Sequence, residues 1–68
     1  NPTTDKLRVQ QFGQDALNAD FEIYDVIGKL VLWGEDAPEI EVLNLPKGFY
    51  ILEIEIEKKV SRQRFVKN

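Results

Sequence analysis

From Phe49 to Glu57 the chain alternates without interruption, with Tyr50, Leu52, Ile54 and Ile56 directed to one side and Phe49, Ile51, Glu53, Glu55 and Glu57 to the other. A period of two sustained over this length is the signature of a β-strand apolar on one face. No segment of the chain shows a sustained 3.6-residue period, so a helix-built fold is excluded at the outset.

The flanking sequence supplies further strands. Leu7 and Val9 alternate with Lys6, Arg8 and Gln10 as a half-buried first strand, with Asn1, Pro2 and Thr3 as its lead-in. Gly13 to Asp20 is polar and turn-rich and reads as a loop, with room for a short strand around Ala16 and Leu17. Phe21 and Ile23 oppose Glu22 and Tyr24 in a strand from about Ala19 to Asp25. In the turn that follows, Asp25 can accept a hydrogen bond from the backbone two residues on, and Gly28 supplies a left-handed conformation that closes a short bulged hairpin.

The return strand is expected at Lys29 to Trp33, and Gly34 to Pro38 to break it. Ile40 and Val42 alternate with Glu39 and Glu41 in another strand, and Asn44 to Gly48 turns the chain into the long one. Val60 to Val66 completes a terminal hairpin. A two-residue loop at Lys58-Lys59 would set Glu55 opposite Arg62, Glu53 opposite Arg64 and Leu52 opposite Phe65, pairing opposite charges across the strands. Six to seven short strands of this kind predict an all-β fold, a small antiparallel immunoglobulin-like β-sandwich.

The chain has 68 residues, no Cys and no His. At that length about 60% of the unfolded surface is buried, so a single thin-cored domain held by packing alone, at about 3–5 kcal/mol, is expected. An apolar content of 43% marks a folded chain rather than a disordered one. No run is long and apolar enough for a membrane span, and a soluble domain is expected. Through Glu57, twelve Asp and Glu face four Lys and Arg for a net −8, after which Lys58, Lys59, Arg62, Arg64 and Lys67 add +5. An acidic body with one basic end argues against nucleic acid as a partner.

Chemistry-bearing groups are few. Ser61, Thr3 and Thr4 are the side-chain nucleophile candidates and have no His to activate them. Glu53, Glu55 and Glu57 line one strand face, where solvation or ion pairing explains them better than a pair of catalytic carboxylates. Asp25 reads as a turn former rather than a cation ligand, and Gly28, Gly34 and Gly48 as turn glycines rather than a phosphate cradle. No enzyme activity, cofactor or metal is expected. Trp33 reads as core or edge packing, with an exposed platform as the other reading. The terminal basic strand reads equally as a charged guard against edge-to-edge pairing and as a docking edge for strand addition.

The succession Asn1-Pro2-Thr3-Thr4-Asp5-Lys6-Leu7, Phe21-Glu22-Ile23-Tyr24-Asp25-Val26-Ile27-Gly28-Lys29, Asn44-Leu45-Pro46-Lys47-Gly48-Phe49-Tyr50-Ile51-Leu52 and Arg64-Phe65-Val66-Lys67 resembles the C-terminal sorting domain of the type IX (Por) secretion system of Bacteroidetes. The resemblance covers essentially the whole chain. It implies a non-catalytic signal at the end of a larger secreted precursor, covalently attached to an N-terminal cargo domain. Its partners would be the type IX outer-membrane translocon or shuttle and a sortase-like peptidase that cuts upstream of Asn1. Its location would be the periplasm in transit and then the cell surface or medium. Motif matches fall on Asn1, Pro2, Asp25, Gly28, Lys29, Leu45, Pro46, Gly48 and Tyr50, and recognition is expected on Arg62, Arg64, Phe65, Val66 and Lys67.

Two other readings belong to different classes. A structural immunoglobulin-like spacer of the flagellar-hook-cap type shares the Asp-x-x-Gly hairpin and the Gly-x-Tyr strand. A carbohydrate-binding sandwich would need coplanar exposed aromatics, for which Trp33, Tyr24 and Phe49 are the candidates.

Overall fold

The computed structural model describes residues 2–3, 5–13 and 16–68. Asn1 and Thr4 lie outside the described residues. Seven strands run in chain order among them: β1 (Pro2–Thr3), β2 (Lys6–Arg8), β3 (Ala19–Tyr24), β4 (Leu30–Ala37), β5 (Glu39–Glu41), β6 (Gly48–Ile56) and β7 (Lys59–Lys67). A 3-10 turn at Val9–Gln11 follows β2. The strands form a five-stranded sheet in the order β1-β7-β6-β3-β4 and a two-stranded sheet of β2 and β5. The fold is therefore all-β in two layers, consistent with a sandwich.

The core lies between the layers. The inward side chains of β3 and β6, among them Phe21, Ile23, Tyr50, Leu52 and Ile54, are buried beneath Leu7 and Val9 from one side of the small layer and Ile40 and Val42 from the other. The long alternating segment thus has the two faces its sequence predicts. Register in the small layer sets Leu7 against Ile40, flanked by Lys6 against Glu41 and Arg8 against Glu39. Two backbone bonds extend it, from the Val9 amide to the Pro38 carbonyl at 3.2 Å and from the Val42 amide to the Asp5 carbonyl at 2.7 Å. Fully burying aliphatic side chains of this size contributes about 1.5–3 kcal/mol each, so these few residues carry most of the stability.

Several expectations are corrected. Residues 2 and 3 are not a simple lead-in but a strand, pairing in parallel with β7 through Pro2 against Val66 and Thr3 against Lys67, so the sheet is not wholly antiparallel. An edge is where a residue without an amide hydrogen is tolerated. The strand expected to run through Val9 and Gln10 stops at Arg8, where the backbone amide of Arg8 donates to Gln11 Oε1 at 2.7 Å and the 3-10 turn begins. No strand forms around Ala16 and Leu17; the Ala16 amide instead bonds the Gly13 carbonyl at 2.9 Å.

β4 does not break at Gly34. Gly34 lies directly opposite Phe21, whose ring occupies the space a side chain would need: a Cβ there would sit 2.5 Å from Phe21 Cε1 and 2.9 Å from Cζ. This glycine is a packing residue inside a strand, not a turn residue. The irregularity comes later, where Asp36 adopts φ 50° and donates its amide to Asp20 Oδ1 at 2.8 Å.

The terminal hairpin forms, with a register two residues away from the expected one. Its turn is Glu57-Lys58, with φ of 51° and 67°, closed by Ile56 opposite Lys59. Glu53 therefore meets Arg62, Ile51 meets Arg64 and Tyr50 meets Phe65. Two consecutive left-handed residues give the primed turn whose twist suits a two-residue hairpin. The shift is even, so every side chain keeps its expected face.

Two stability outcomes follow, both measured by urea unfolding. Replacing the turn pair by Glu57→Asn with Lys58→Gly raises stability by about 1–2 kcal/mol, because asparagine and glycine tolerate the left-handed backbone that strains glutamate and lysine. Gly34→Ala lowers it by about 1–3 kcal/mol through overpacking against Phe21; an unchanged midpoint would refute the close approach.

Candidate functional site

The motif residues sort into two turn locks and one open edge. At the β3–β4 turn, Asp25 Oδ1 accepts from the amides of Ile27 at 3.0 Å and Lys29 at 2.9 Å. The Asp25 carbonyl accepts from the Gly28 amide and the Asp25 amide donates to the Lys29 carbonyl, each at 3.0 Å. Gly28, at φ 87°, supplies the left-handed residue. One carboxylate thus satisfies the turn's orphan amides, as its position two residues before Ile27 predicts.

The second lock enters β6. The Tyr50 hydroxyl donates to the Pro46 carbonyl at 2.5 Å, and the Leu45 amide bonds the Val42 carbonyl at 3.0 Å. Gly48, at φ 150°, takes a backbone shape closed to other residues. The Tyr50 ring stacks on Phe65, with centroids 5.5 Å apart and planes at 25°. The loop before β6 is in this way tied to the last strand through a single buried tyrosine.

The open edge belongs to β7. In the sheet order β7 is flanked by β6 and β1, but β1 covers only Val66 and Lys67. Among the described residues, Lys59 to Phe65 therefore have no strand on their outer side. Of the residues expected to recognise a partner, Arg62 and Arg64 are exposed, Val66 is half-buried, and Phe65 and Lys67 turn inward and are buried. Arg62 Nε reaches Glu53 Oε2 at 2.9 Å. The Arg64 side chain has no hydrogen bond or ion pair among the described residues. Phe65 can enter a contact at this edge by backbone rather than by side chain, whereas Lys67 already lies opposite Thr3 of β1.

The remaining candidates are dispersed. Glu57 leaves the strand face for the turn, while Glu53 is held by Arg62. Among the described residues no three His, Cys, Asp or Glu are placed to hold a metal ion. Trp33 is not packed in the core but 62% exposed, because it sits opposite Glu22 on the side of β3–β4 away from the second layer. Tyr24 and Phe49 share that outer face, yet each stands on a different strand. The Tyr24 hydroxyl donates to Glu22 Oε1 at 2.7 Å, and that bond, with the neighbouring negative charge, holds its pKa above the ordinary phenol value. The exposure of Trp33 escaped the sequence because both sides of its strand are apolar enough to be buried.

No helix among the described residues is long and apolar enough to cross a membrane. A search of curated proteins returned no match. The family model described as secretion system C-terminal sorting domain matches residues 1–68, a span that contains both turn locks and the terminal hairpin. The chain belongs to that family of C-terminal sorting domains, a non-catalytic signal that marks cargo for type IX (Por) secretion to the cell surface or medium.

Proposed function

We propose that residues 1–68 are a single sorting domain at the end of a larger secreted precursor, and that the type IX outer-membrane translocon or its shuttle reads the terminal hairpin. The observation that carries this is the edge of β7, left uncovered from Lys59 to Phe65 beside the two exposed arginines Arg62 and Arg64. An extended segment of the machinery would add to that edge through main-chain hydrogen bonds, with the arginines setting selectivity. The Tyr50 lock ties the terminal hairpin to the loop before β6, the Asp25 lock fixes the β3–β4 turn, and neither need touch the partner.

On this reading the precursor crosses the inner membrane first and is recognised in the periplasm. After export a sortase-like peptidase cuts upstream of Asn1 and the cargo is released or joined to the surface. The two layers, with their hairpin connections and Tyr50 lock, support an immunoglobulin-like arrangement of the strands. No nucleic acid takes part, in keeping with the acidic body of the chain.

The test is a fluorescent reporter carrying residues 1–68 behind a flexible linker, directed to the periplasm of a type IX-competent bacterium and of a translocon-defective strain. The reporter is expected at the surface or in the medium of the competent strain alone. Arg62→Ser with Arg64→Ser, both on exposed side chains, is expected to cut export several-fold while the isolated domain unfolds at nearly the same urea concentration. Retention in both strains would sink the sorting role in this chain, and full export of the double variant would remove the arginines from recognition.

A further inference from the structure

Among the described residues, none forms a layer over the face of the five-stranded sheet turned away from β2 and β5. Large apolar side chains stand open on it, with Trp33 62%, Phe49 63% and Val60 58% exposed. Trp33 on β4 and Val60 on β7 bound a groove of about 410 Å³ that crosses β3 and β6. Three strand spacings separate its ends, about 14 Å.

The floor of that groove breaks a rule of sheet pairing. Glu22 lies directly opposite Glu53, and Asp20 directly opposite Glu55, although like charges in facing positions destabilise a sheet. Relief from within the molecule is partial. Glu53 has Arg62 at 2.9 Å, Glu22 has the Tyr24 hydroxyl at 2.7 Å, and Asp20 has the Asp36 amide at 2.8 Å. The carboxylates of Glu55, and of Glu35 at the rim, make no hydrogen bond or ion pair among the described residues. Five carboxylates against one arginine leave the groove at −4, more negative than the −3 of the whole chain.

An unpaired local conflict that the fold retains points to something outside the fold that resolves it. A metal ion does not suit, since no three carboxylates converge among the described residues. The two carboxylate pairs instead lie two residues apart along β3 and β6, a separation of about 6.8 Å, which is also the distance from residue i to i+2 of an extended chain. Arginine suits the walls as well, since its stem can lie along Val60 and its guanidinium can stack on Trp33.

We propose that this face docks an extended segment of a partner protein bearing arginine or lysine at alternate positions, its cations over the Glu22–Glu53 and Asp20–Glu55 pairs and its stems against Trp33 and Val60. The surface is separate from the open edge of β7, and the proposal does not rest on how that edge is read.

Trp33 is the single tryptophan of the chain, so its fluorescence reports on the groove directly. The intact chain is titrated with a capped Arg-Ser-Arg-Ser-Arg peptide, with Glu-Ser-Glu-Ser-Glu and calcium chloride in parallel. A saturable change in emission is expected with the arginine peptide alone, weakening steeply as salt is raised to about 0.5 M. Glu35→Gln with Glu55→Gln is expected to raise the apparent Kd about threefold or more, while Glu55→Gln by itself raises the urea midpoint because a facing like charge is gone. A flat titration, an equal response to the acidic peptide or to calcium, or an unchanged Kd in the double variant would each overturn the proposal. So would sedimentation showing the face already covered by a second copy.

Discussion

Everything in this molecule depends on covering one side of two strands. β3 and β6 carry the inward apolar residues, which are shielded from water by a layer of two three-residue strands, with Val9 and Val42 at its borders, and by half-buried side chains packed against the cluster, Phe12, Ala16 and Leu45 among them. Ile23, Ile40, Leu52, Ile54, Val9 and Val42 are the fully buried side chains. With so few residues excluding solvent, there is no spare core, and the turns must hold the layers in place without help from disulfides. That demand explains why the motif residues are turn residues: Asp25 fixes one hairpin and Tyr50 ties the crossover loop to the last strand.

The same economy leaves surfaces open. A cover that small reaches only part of the inner face, so Ser61 and Gln63 of β7 point toward the layer yet remain exposed. Among the described residues the outer face is uncovered, and the far edge of β7 is covered for two residues. The sheet thus presents broad faces and an open edge, surfaces that suit a domain recognised by a partner.

Much of this was legible in the chain. The faces of β6 follow from its alternation, and the Asp25 turn from an aspartate two residues before an amide and three before a glycine. The outward direction of Arg62 and Arg64 follows from alternation as well. What the sequence hid was non-local or unmarked. Gly34 looks like punctuation until the ring of Phe21 is placed across from it. Glu57-Lys58 and Lys58-Lys59 are equally poor turn formers on paper, and the register the structure takes is the one that stacks Tyr50 on Phe65. The strand at Pro2–Thr3 exists only because a partner waits at the opposite end of the chain. Neither the exposure of Trp33 nor the facing carboxylates could be seen before the register of β3 against β6 was known.

The parallel pairing of β1 with β7 also gives the domain a mechanical character. A pull applied before β1 and after β7 runs along two parallel strands in opposite directions, so it loads their hydrogen bonds in shear. Those bonds span just Pro2–Val66 and Thr3–Lys67, whereas β6 and β7 are paired along nine positions. Under tension the clasp at β1 yields while the hairpin and its core still stand. Stretching the chain would then lengthen the uncovered edge of β7 to its full extent, making force itself a means of exposing that strand.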